Sequence, residues 1–400
     1  MRNIYFPFIV LGVILFISWL NYRLLVRWTP QFRRPAAAYA FWGLTALAVL
    51  LITLSWSNRV SPWLLLPDWY RYLAHCGFAW LTAQVLMLIL LPLLFLGHRL
   101  AAPLSVPAAE GAADGPLLTR RSFLRNSLIA VPAAALGLST AGVYSAEAVL
   151  AERRLELKLP GLPAAFDGLT VLQLSDTHIG AYFSLAMLDR VIERIKELAP
   201  DILVITGDLI DDLSLLAPTA EKLAALAPRI PHGVYYCWGN HEYFRNLSAI
   251  WAVLRTTPIT LINNSHHRLT AGDSHLYLVG VDFPWAGSKP ERREKCRRFL
   301  AQALADLPAE ACKILIAHHP DFLDEGFAAG IPLTLAGHTH GGQVTLFGRP
   351  LMPLLYDYML GLYEKGGCYG YVNAGAGHWF PFRLGCPPEI ALFTLRSGQA

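Results

Sequence analysis

The sequence predicts an α/β fold in which two β-sheets pack face to face between flanking helices, with transmembrane helices ahead of this domain. Two features predict it. From residue 169 onward, short apolar segments bounded by glycine and histidine alternate with segments of helical periodicity, which is the pattern of buried strands and covering helices. Before that point, three long segments carry no charged residue, and each supplies the roughly 20 apolar residues that span a bilayer.

The three charge-free segments predict a membrane domain of three transmembrane helices over residues 1–97. They are Asn3–Tyr22, Pro35–Asn58 and Leu73–Gly97. With 54% hydrophobic and 16% charged residues over 400 positions, the chain is too apolar for an ordinary soluble protein of this length. A transport module is the disfavoured alternative, because these segments lack the charged residues that transporters carry inside the membrane.

Arginines predict the orientation of this membrane domain. Four lie between the first two segments and four follow the third, whereas two lie between the second and the third. The positive-inside bias therefore places the first and third connections in the cytoplasm and the N-terminus outside. In chain order, the arginines of the three connections are Arg23, Arg27, Arg33 and Arg34; Arg59 and Arg71; and Arg99, Arg120, Arg121 and Arg125. The net charge of +4 is weak evidence about partners. Because much of the arginine lies beside the membrane segments, no basic patch remains for nucleic acid, and we expect no such partner.

Residues 98–118 are rich in Ala, Pro and Gly and predict a flexible linker. The segment 119–148 then opens with Thr119-Arg120-Arg121-Ser122-Phe123-Leu124-Arg125, which resembles a twin-arginine export signal. A weakly apolar stretch without charges follows at Asn126–Tyr144, as in the core of such signals. An ordinary fourth membrane helix is the alternative, and either one moves the following residues out of the cytoplasm. Ala146-Glu147-Ala148 has the form of a cleavage site, and whether it is cut stays open.

The α/β domain is expected over residues 155–400. Its first helix should begin after Ser184, which can cap it, and end before Pro200. A second helix is expected around Glu221–Leu226. The expected strands are Leu169–Leu174, Ile202–Thr206, Val234–Trp238, Leu276–Val281, Lys313–Ala317, Leu333–Ala336, Tyr369–Asn373 and Ile390–Leu395.

Five polar motifs follow apolar runs and predict a site for two metal ions. Ligands at the carboxyl ends of strands fit the general rule for α/β sheets. Carboxylates, an amide oxygen and imidazoles are donors that divalent ions accept, and paired divalent ions hydrolyse phosphate esters. The motifs are Asp176-Thr177-His178, Gly207-Asp208-Leu209-Ile210-Asp211, Gly239-Asn240-His241-Glu242, His318 within Ala317-His318-His319-Pro320, and Gly337-His338-Thr339-His340.

Each motif is weak evidence when it is taken alone, because an isolated Asp-x-His or His-x-His is more often a surface pair than a ligand set. Five of them in order, each after an apolar run, make coincidence implausible. Asp208 is a carboxylate that can place one oxygen on each of two ions about 3.5–4 Å apart. The spacing of His338 and His340 lets the two imidazoles serve different ions from one loop.

Together the motifs resemble the full signature of the calcineurin-like metallophosphoesterases, over roughly residues 165–400. The segments Gly239–Phe244 and Gly337–Gln343 resemble the membrane-associated bacterial branch of that family. The resemblance implies a sandwich of two mixed β-sheets with flanking helices. It also implies one ion held by Asp176, His178, Asp208 and His340, and a second held by Asp208, Asn240, His318 and His338. His319 is the alternative to His318 as the ligand from its motif.

The resemblance further implies a mechanism in which a hydroxide that bridges the two ions attacks phosphorus. His241 would then face the leaving group as a proton donor or stabilise the phosphoryl oxygens. Asp211 is expected to hold His241 in its active orientation, and a solvated loop carboxylate is the alternative for this residue. Mixed nitrogen and oxygen ligands without a thiolate fit Mn, Fe or Zn, and we prefer Mn.

The expected activity is hydrolysis of phosphomonoester, phosphodiester or pyrophosphate bonds, with membrane lipids as neighbours and a lipid or nucleotide-linked lipid as the substrate. Pyrophosphate cleavage in a UDP-diacylglucosamine, which some relatives perform, is a secondary expectation because it serves the cytoplasmic leaflet. A non-catalytic membrane sensor or scaffold that retains the fold is the alternative function. The motifs favour an enzyme, because none of the family's core ligands is missing.

Aromatic segments near the end of the chain are expected either to line a substrate groove or lipid surface or to pack in the core. They are Tyr356–Tyr363 and Gly375–Arg383, and Trp285 can join them. Arg383 and Arg245 are candidates for phosphate binding, with a surface role as the default for each, and His378 is either near the site or a loop residue. Cys368 and Cys386 either pair or remain two buried thiols.

Overall fold

A computed structural model describes residues 6–28, 30–60, 70–101, 120–351 and 356–398. It separates the chain into two compact units, Met1–Tyr144 and Ser145–Ala400. Most of the predicted linker 98–118 lies outside the described residues, as do Thr119 and the first three residues of the predicted span Asn3–Tyr22.

The first unit is helical. Within the described residues, the segments Pro35–Leu54 and Tyr72–Leu94 are long and apolar enough to cross a membrane. Polar contacts join the helices, since Asn21 Nδ2 donates to the Gln84 carbonyl over 2.7 Å. The helices are α1 (Phe6–Trp28), α2 (Pro35–Val60), α3 (Tyr70–Ala101) and α4 (Arg120–Ala148), the last of which runs on into the second unit.

The second unit confirms the predicted fold class, because it contains two mixed six-stranded sheets with helices around them. The strand order is β1-β14-β2-β3-β4-β5 in the first sheet and β12-β13-β9-β8-β7-β6 in the second. Strands β2 to β5 run parallel to one another, as do β7 to β9 and β13, whereas β14 is antiparallel to β2. The strands are β1 (Ala151–Pro160), β2 (Thr170–Leu174), β3 (Ile202–Thr206), β4 (Val234–Cys237), β5 (Ile259–Leu261), β6 (Ser265–Ala271), β7 (Ser274–Gly280), β8 (Cys312–Ile316), β9 (Leu333–Ala336), β10 (Thr345–Leu346), β11 (Arg349–Pro350), β12 (Gly361–Lys365), β13 (Cys368–Val372) and β14 (Glu389–Gly398).

The side chains of the central strands alternate between two buried layers. In β2, Val171 faces a core that also contains Ile314 and Leu335 of the second sheet. Leu172 and Leu174 face a core formed with the helices on the outer side. Burial on both faces explains why these strands read as continuous apolar runs, and the shared core shows that the sheets pack face to face.

The helices of the second unit cover the outer faces of both sheets. Ser184 caps α5 as predicted, since its side chain accepts a hydrogen bond from the Met187 N–H over 3.3 Å. Ala199 ends the same helix in the left-handed conformation just before Pro200. The helices are α5 (Leu185–Leu198), α6 (Leu216–Leu226), α7 (Asn240–Phe244), α8 (Leu247–Leu254), α9 (Lys289–Ala303) and α10 (Phe322–Ala328).

Candidate metal centre

The candidate ligands lie where five strands end. In the first sheet, β2, β3 and β4 are neighbours and end just before Asp176, Asp208 and Asn240. In the second sheet, β8 and β9 are neighbours and end just before His318 and His338. Because the two sheets pack face to face, the carboxyl ends of their parallel strands bring these side chains into one buried cluster.

The His318 half of the cluster consists of Asn240, His318 and His338. His318 Nδ1 lies 2.7 Å from the Thr206 carbonyl, which accepts a hydrogen bond from the ring. Nε2, the ring nitrogen left to bind a metal, therefore points into the cluster, where it lies 3.1 Å from Asn240 Oδ1 and 3.1 Å from His338 Nδ1. On its outer side, His338 Nε2 lies 3.0 Å from the Tyr356 hydroxyl.

The His340 half of the cluster consists of Asp176, His178 and His340. The two ring Nε2 atoms of His178 and His340 are 3.0 Å apart, and His340 Nε2 lies 3.6 Å from Asp176 Oδ1. On its outer side, His340 Nδ1 accepts a hydrogen bond from Arg383 Nη2 over 2.6 Å. Arg383 is fully buried and also donates to the His340 and Gly377 carbonyls, so the expected surface role of this arginine is wrong.

Asp208 lies between the two halves. Its Oδ2 atom is 3.6 Å from His178 Nε2 and 3.3 Å from His318 Nε2. Its Oδ1 atom accepts a hydrogen bond from the His241 backbone N–H over 2.8 Å, which fixes the carboxylate plane. One carboxylate therefore faces both histidine groups, as a ligand shared by two ions must.

His241 lies beside the cluster and is oriented by Asp211. The two are joined by a contact of 2.6 Å between His241 Nδ1 and Asp211 Oδ1. This leaves His241 Nε2 facing the cluster, 4.0 Å from Asp208 Oδ2. Arg245 Nη2 lies 3.0 Å from the same Asp211 oxygen, so Arg245 is bound to Asp211 rather than free on the surface.

Glu242 supports the loops that carry Asp208 and Asn240, a role that the sequence analysis missed. Its buried carboxylate accepts hydrogen bonds from the backbone N–H groups of Leu209 over 2.8 Å and Gly239 over 2.9 Å. It also accepts one from the Tyr236 hydroxyl over 2.6 Å. Glutamate at the third position of a helix commonly bonds the capping backbone N–H, so the Gly-Asn-His-Glu spacing contained the signal.

Backbone conformation at the cluster is unusual. Five candidate ligands have positive φ, a region that costs a side chain on the order of 1–2 kcal/mol. Such conformations persist where the surrounding structure enforces them, and they concentrate at functional sites. They are Asp176 (φ 51°), His178 (49°), Asp208 (51°), His338 (74°) and His340 (51°).

Close packing of the loops also demands glycine. At Gly207, where φ is +84°, a Cβ atom would lie 2.6 Å from His318 Nδ1 and 2.7 Å from Gly239 Cα. At Gly239, a Cβ atom would collide with Asp208 Oδ1. These two glycines therefore let the loops after β3 and β4 approach closely enough for Asp208 to sit at the centre.

The electrostatics of the cluster are those of a cation site. Burial alone would lower the pKa of His318, but the carboxylates of Asp208 and Asp176 outweigh it and raise that pKa to about 10. Burial and the neighbouring His318 lower the pKa of His338 to about 3. Burial and Arg383 hold the pKa of His340 well below its usual range. The negative potential that favours a proton on His318 equally favours a divalent ion.

The donor set fits metal ions. His318 Nε2 lies 3.1 Å from Asn240 Oδ1 and 3.1 Å from His338 Nδ1, and a divalent ion bound among these atoms would take the place of the proton that His318 holds in the metal-free protein. Three sets of donors each have ligand atoms within 4.8 Å of one another. They are Asp176, His178 and His340; His178, Asp208 and His241; and Asp208, His318 and His338.

Other residues singled out in the sequence lie outside the candidate ligand set. The His319 ring accepts a hydrogen bond from the Asp321 N–H over 3.1 Å and lies outside the three donor sets. His378 is buried and stacks with Tyr182. Cys368 and Cys386 are free buried thiols, so they do not pair.

Comparison with known proteins is consistent across the second unit. The family model described as calcineurin-like phosphoesterase matches residues 169–342. An uncharacterized metallophosphoesterase of Bacillus subtilis, YkuE, is 32% identical over 70% of this chain and 98% of its own length. The Escherichia coli phosphodiesterase YaeI is 30% identical over 56% of this chain and 81% of its own length.

An animal protein matches this chain over most of the length of both proteins. A Danio rerio transmembrane protein with a metallophosphoesterase domain is 28% identical over 90% of this chain and 82% of its own length. The similarity therefore extends beyond the second unit into the helical region that precedes it.

Proposed function

Because this chain belongs to the calcineurin-like metallophosphoesterase family and is thus a metal-dependent phosphoric ester hydrolase, we propose that it is a membrane-anchored phosphoesterase with two metal ions. The observation that carries the proposal is the convergence of acceptor atoms around Asp208, whose Oδ2 lies 3.3 Å from His318 Nε2 and 3.6 Å from His178 Nε2.

The two halves of the cluster would each hold one ion, with Mn preferred over Fe or Zn. When bound, two divalent ions lower the pKa of coordinated water so that a hydroxide is available as nucleophile, and they neutralise charge on the phosphoryl oxygens. The first ion would be held by Asp176, His178, Asp208 and His340, and the second by Asp208, Asn240, His318 and His338.

His241 would protonate the leaving oxygen. Asp211 accepts the Nδ1 hydrogen bond and thereby leaves Nε2 directed at the cluster. A proton held at that nitrogen lies on the side from which an alcohol or phosphate would leave. Asp211 acts through His241 and is a positioning residue, and its bond with Arg245 limits rotation of the carboxylate.

The helices of the first unit would hold the enzyme in the inner membrane of a bacterium, with the second unit outside the cytoplasm. The proposal rests on the segments Pro35–Leu54 and Tyr72–Leu94 and on the uneven distribution of arginines. Under this proposal, α4 is either a twin-arginine signal or a fourth membrane helix. A C-terminal reporter that works only outside the cytoplasm should be active, and activity of a cytoplasm-only reporter would refute the orientation.

The substrate would be a phosphate ester at the membrane, with a lipid or nucleotide-linked lipid as the natural substrate.

The activity itself is tested on the purified full chain with bis(4-nitrophenyl) phosphate and added Mn, Fe or Zn. We expect hydrolysis that Asp208→Ala reduces at least 1,000-fold. Asp273→Ala, at an exposed turn between β6 and β7, is the control and should keep full activity. Inactivity with every metal would favour the scaffold alternative.

A further inference from the structure

A row of aromatic rings runs along the rim of the metal centre from His241 to His338. The Phe244 ring lies 5.4 Å from the His241 ring, and the Trp285 ring lies 5.3 Å from Phe244. The Phe283 ring lies 4.7 Å from Trp285 and 5.5 Å from the His338 ring. With Tyr243, whose ring lies 5.9 Å from Trp285, these residues form what we call the aromatic wall.

The wall presents apolar surface to solvent next to the cluster. Phe244 is 58% exposed and Trp285 is 37% exposed, whereas Phe283 is buried beneath them. Large aromatic groups exposed to water are unfavourable, and an apolar partner that covers them contributes roughly 25 cal/mol of binding free energy per Å² of apolar area buried. Two of them, side by side at the mouth of a site, indicate a binding surface for an apolar group.

The wall is held in place by hydrogen bonds that cross between two elements. The Tyr243 hydroxyl, on α7, lies 2.7 Å from each carboxylate oxygen of Asp282. Asp282 is itself fixed, because its backbone N–H donates to Asn264 Oδ1 over 2.9 Å. Lys295 Nζ donates to the Trp285 carbonyl. Phe244 and Trp285 therefore stand on a rigid base rather than on a loose loop.

The position of the wall defines which part of a substrate it meets. It begins at His241, the group that the proposed function assigns to the leaving oxygen. We propose that the wall binds an uncharged hydrocarbon group carried on that oxygen, so that the enzyme selects phosphate esters with a lipid-like leaving group. This inference rests on the proposed function for its choice of the leaving side.

A hydrocarbon fits the wall better than a nucleobase. A base is recognised by hydrogen bonds to its edges as well as by stacking. In the wall, the Tyr243 hydroxyl is already engaged by Asp282, and the two exposed members present mainly ring carbon. The contact available to a ligand is therefore apolar.

The test compares two phosphonates that differ in apolar size, phenylphosphonate and methylphosphonate, at an alkaline pH where both are dianions. Their dissociation constants are measured by calorimetry on the Mn-loaded full chain in lipid nanodiscs. We expect phenylphosphonate to bind about 10-fold more tightly. Phe244→Ser and Trp285→Ser should each reduce this preference to about threefold, and the double variant should abolish it. Both residues are partly exposed, so the variants should fold.

Phe347→Ser is the matched control, because Phe347 is an aromatic residue that is 96% exposed on the β10–β11 hairpin and lies outside the wall. It should leave the preference unchanged. Absence of a preference in the unaltered chain, its survival in the double variant, or failure of both phosphonates to bind would overturn the inference. So would tighter binding of thymidine monophosphate than of phenylphosphonate, which would assign the wall to a base.

These measurements test the aromatic wall and the hydrolytic activity independently of each other. If the chain prefers phenylphosphonate through Phe244 and Trp285 but hydrolyses no ester, the binding surface stands and the proposed function fails. If it hydrolyses bis(4-nitrophenyl) phosphate but shows no preference between phosphonates, the proposed function stands and the wall fails.

Discussion

The His318 half and the His340 half of the cluster contain similar ligands but are supported in opposite ways. The outer ring nitrogen of His318 donates to the Thr206 carbonyl, which is the arrangement that most metal-binding histidines adopt. The outer ring nitrogen of His340 instead accepts a hydrogen bond from Arg383. A neutral His340 must then carry its proton on Nε2, the atom that faces His178.

The buried charges behind the two halves also differ, because the His340 half has a guanidinium behind it as well as the Asp211 carboxylate, which lies 3.4 Å from His178 Nδ1. Glu242 accepts backbone hydrogen bonds from the loops that carry Asp208 and Asn240, next to the His318 half. Arg383 places a buried cation against the His340 half. The comparison teaches that both halves release a proton when a metal binds, but in the His340 half the metal then lies near a buried guanidinium. We therefore expect the two ions to bind unequally, with the His318 half the tighter.

The largest expected effect concerns Glu242. Glu242→Ala removes the acceptor of hydrogen bonds from Leu209, Gly239 and Tyr236 and leaves these donors buried. Such losses cost roughly 3–5 kcal/mol in the free energy of unfolding. Chemical denaturation of the metal-free protein would measure it. The control is Glu221→Ala, at an exposed position in α6, which should change the free energy of unfolding by less than about 0.5 kcal/mol. An equally small effect of Glu242→Ala would show that Glu242 does not support the His318 half.

The next effect is on metal affinity. Calorimetric titration of the chelator-treated full chain with Mn should resolve two steps that differ at least 10-fold in affinity. His318→Ala should abolish the tighter step, because it removes the ligand whose Nε2 the Thr206 carbonyl already directs inward. His340→Ala should abolish the weaker step and leave the tighter one within about threefold of its original affinity. Two equal steps in the unaltered protein would contradict the asymmetry.

The sequence predicts the candidate ligands but not this asymmetry, and the reason is physical. Donors such as Asp176 and His318 follow directly after buried strands, so local pattern and spacing identify them. The Thr206 carbonyl and His318 are 112 residues apart, and Arg383 and His340 are 43 apart. Which group faces the outer nitrogen of a ligand depends on tertiary packing that no local pattern records.

The same limit explains which parts of the fold the sequence reveals. Buried strands such as β3, with an uninterrupted apolar run, are predicted almost to the residue. The edge strand β1 reads Ala-Glu-Arg-Arg-Leu-Glu-Leu-Lys-Leu-Pro. Its charged residues interrupt the apolar pattern that predicts a buried strand, and it is a strand because it pairs with β14. The sequence suggests that Trp285 joins the aromatic segments near the C-terminus, yet it packs against Phe244 and Phe283.

A smaller effect is expected at Arg383. Arg383→Met keeps much of the side-chain volume but removes the cation beside His340, so the weaker Mn step should tighten about 10-fold and the gap between the steps should close. Calorimetric titration measures both steps. Arg229→Met, at an exposed position, controls for the loss of one positive charge and should alter neither step. A weaker second step in Arg383→Met would show that Arg383 acts by positioning the His340 ring rather than by its charge.

The smallest expected effect is on stability, and it tests whether backbone strain is concentrated in the His340 half. All three side chains of the His340 half have positive φ, whereas His338 is the one such residue in the His318 half. Glycine tolerates positive φ without the penalty that alanine incurs, by about 1 kcal/mol. His178→Gly should therefore be more stable than His178→Ala in the metal-free protein. At His318, φ is not positive, so glycine relieves no strain in the folded state there. It still increases the conformational entropy of the unfolded chain, and His318→Gly should therefore be less stable than His318→Ala. The same order at both positions in chemical denaturation would show that strain is not concentrated in the His340 half.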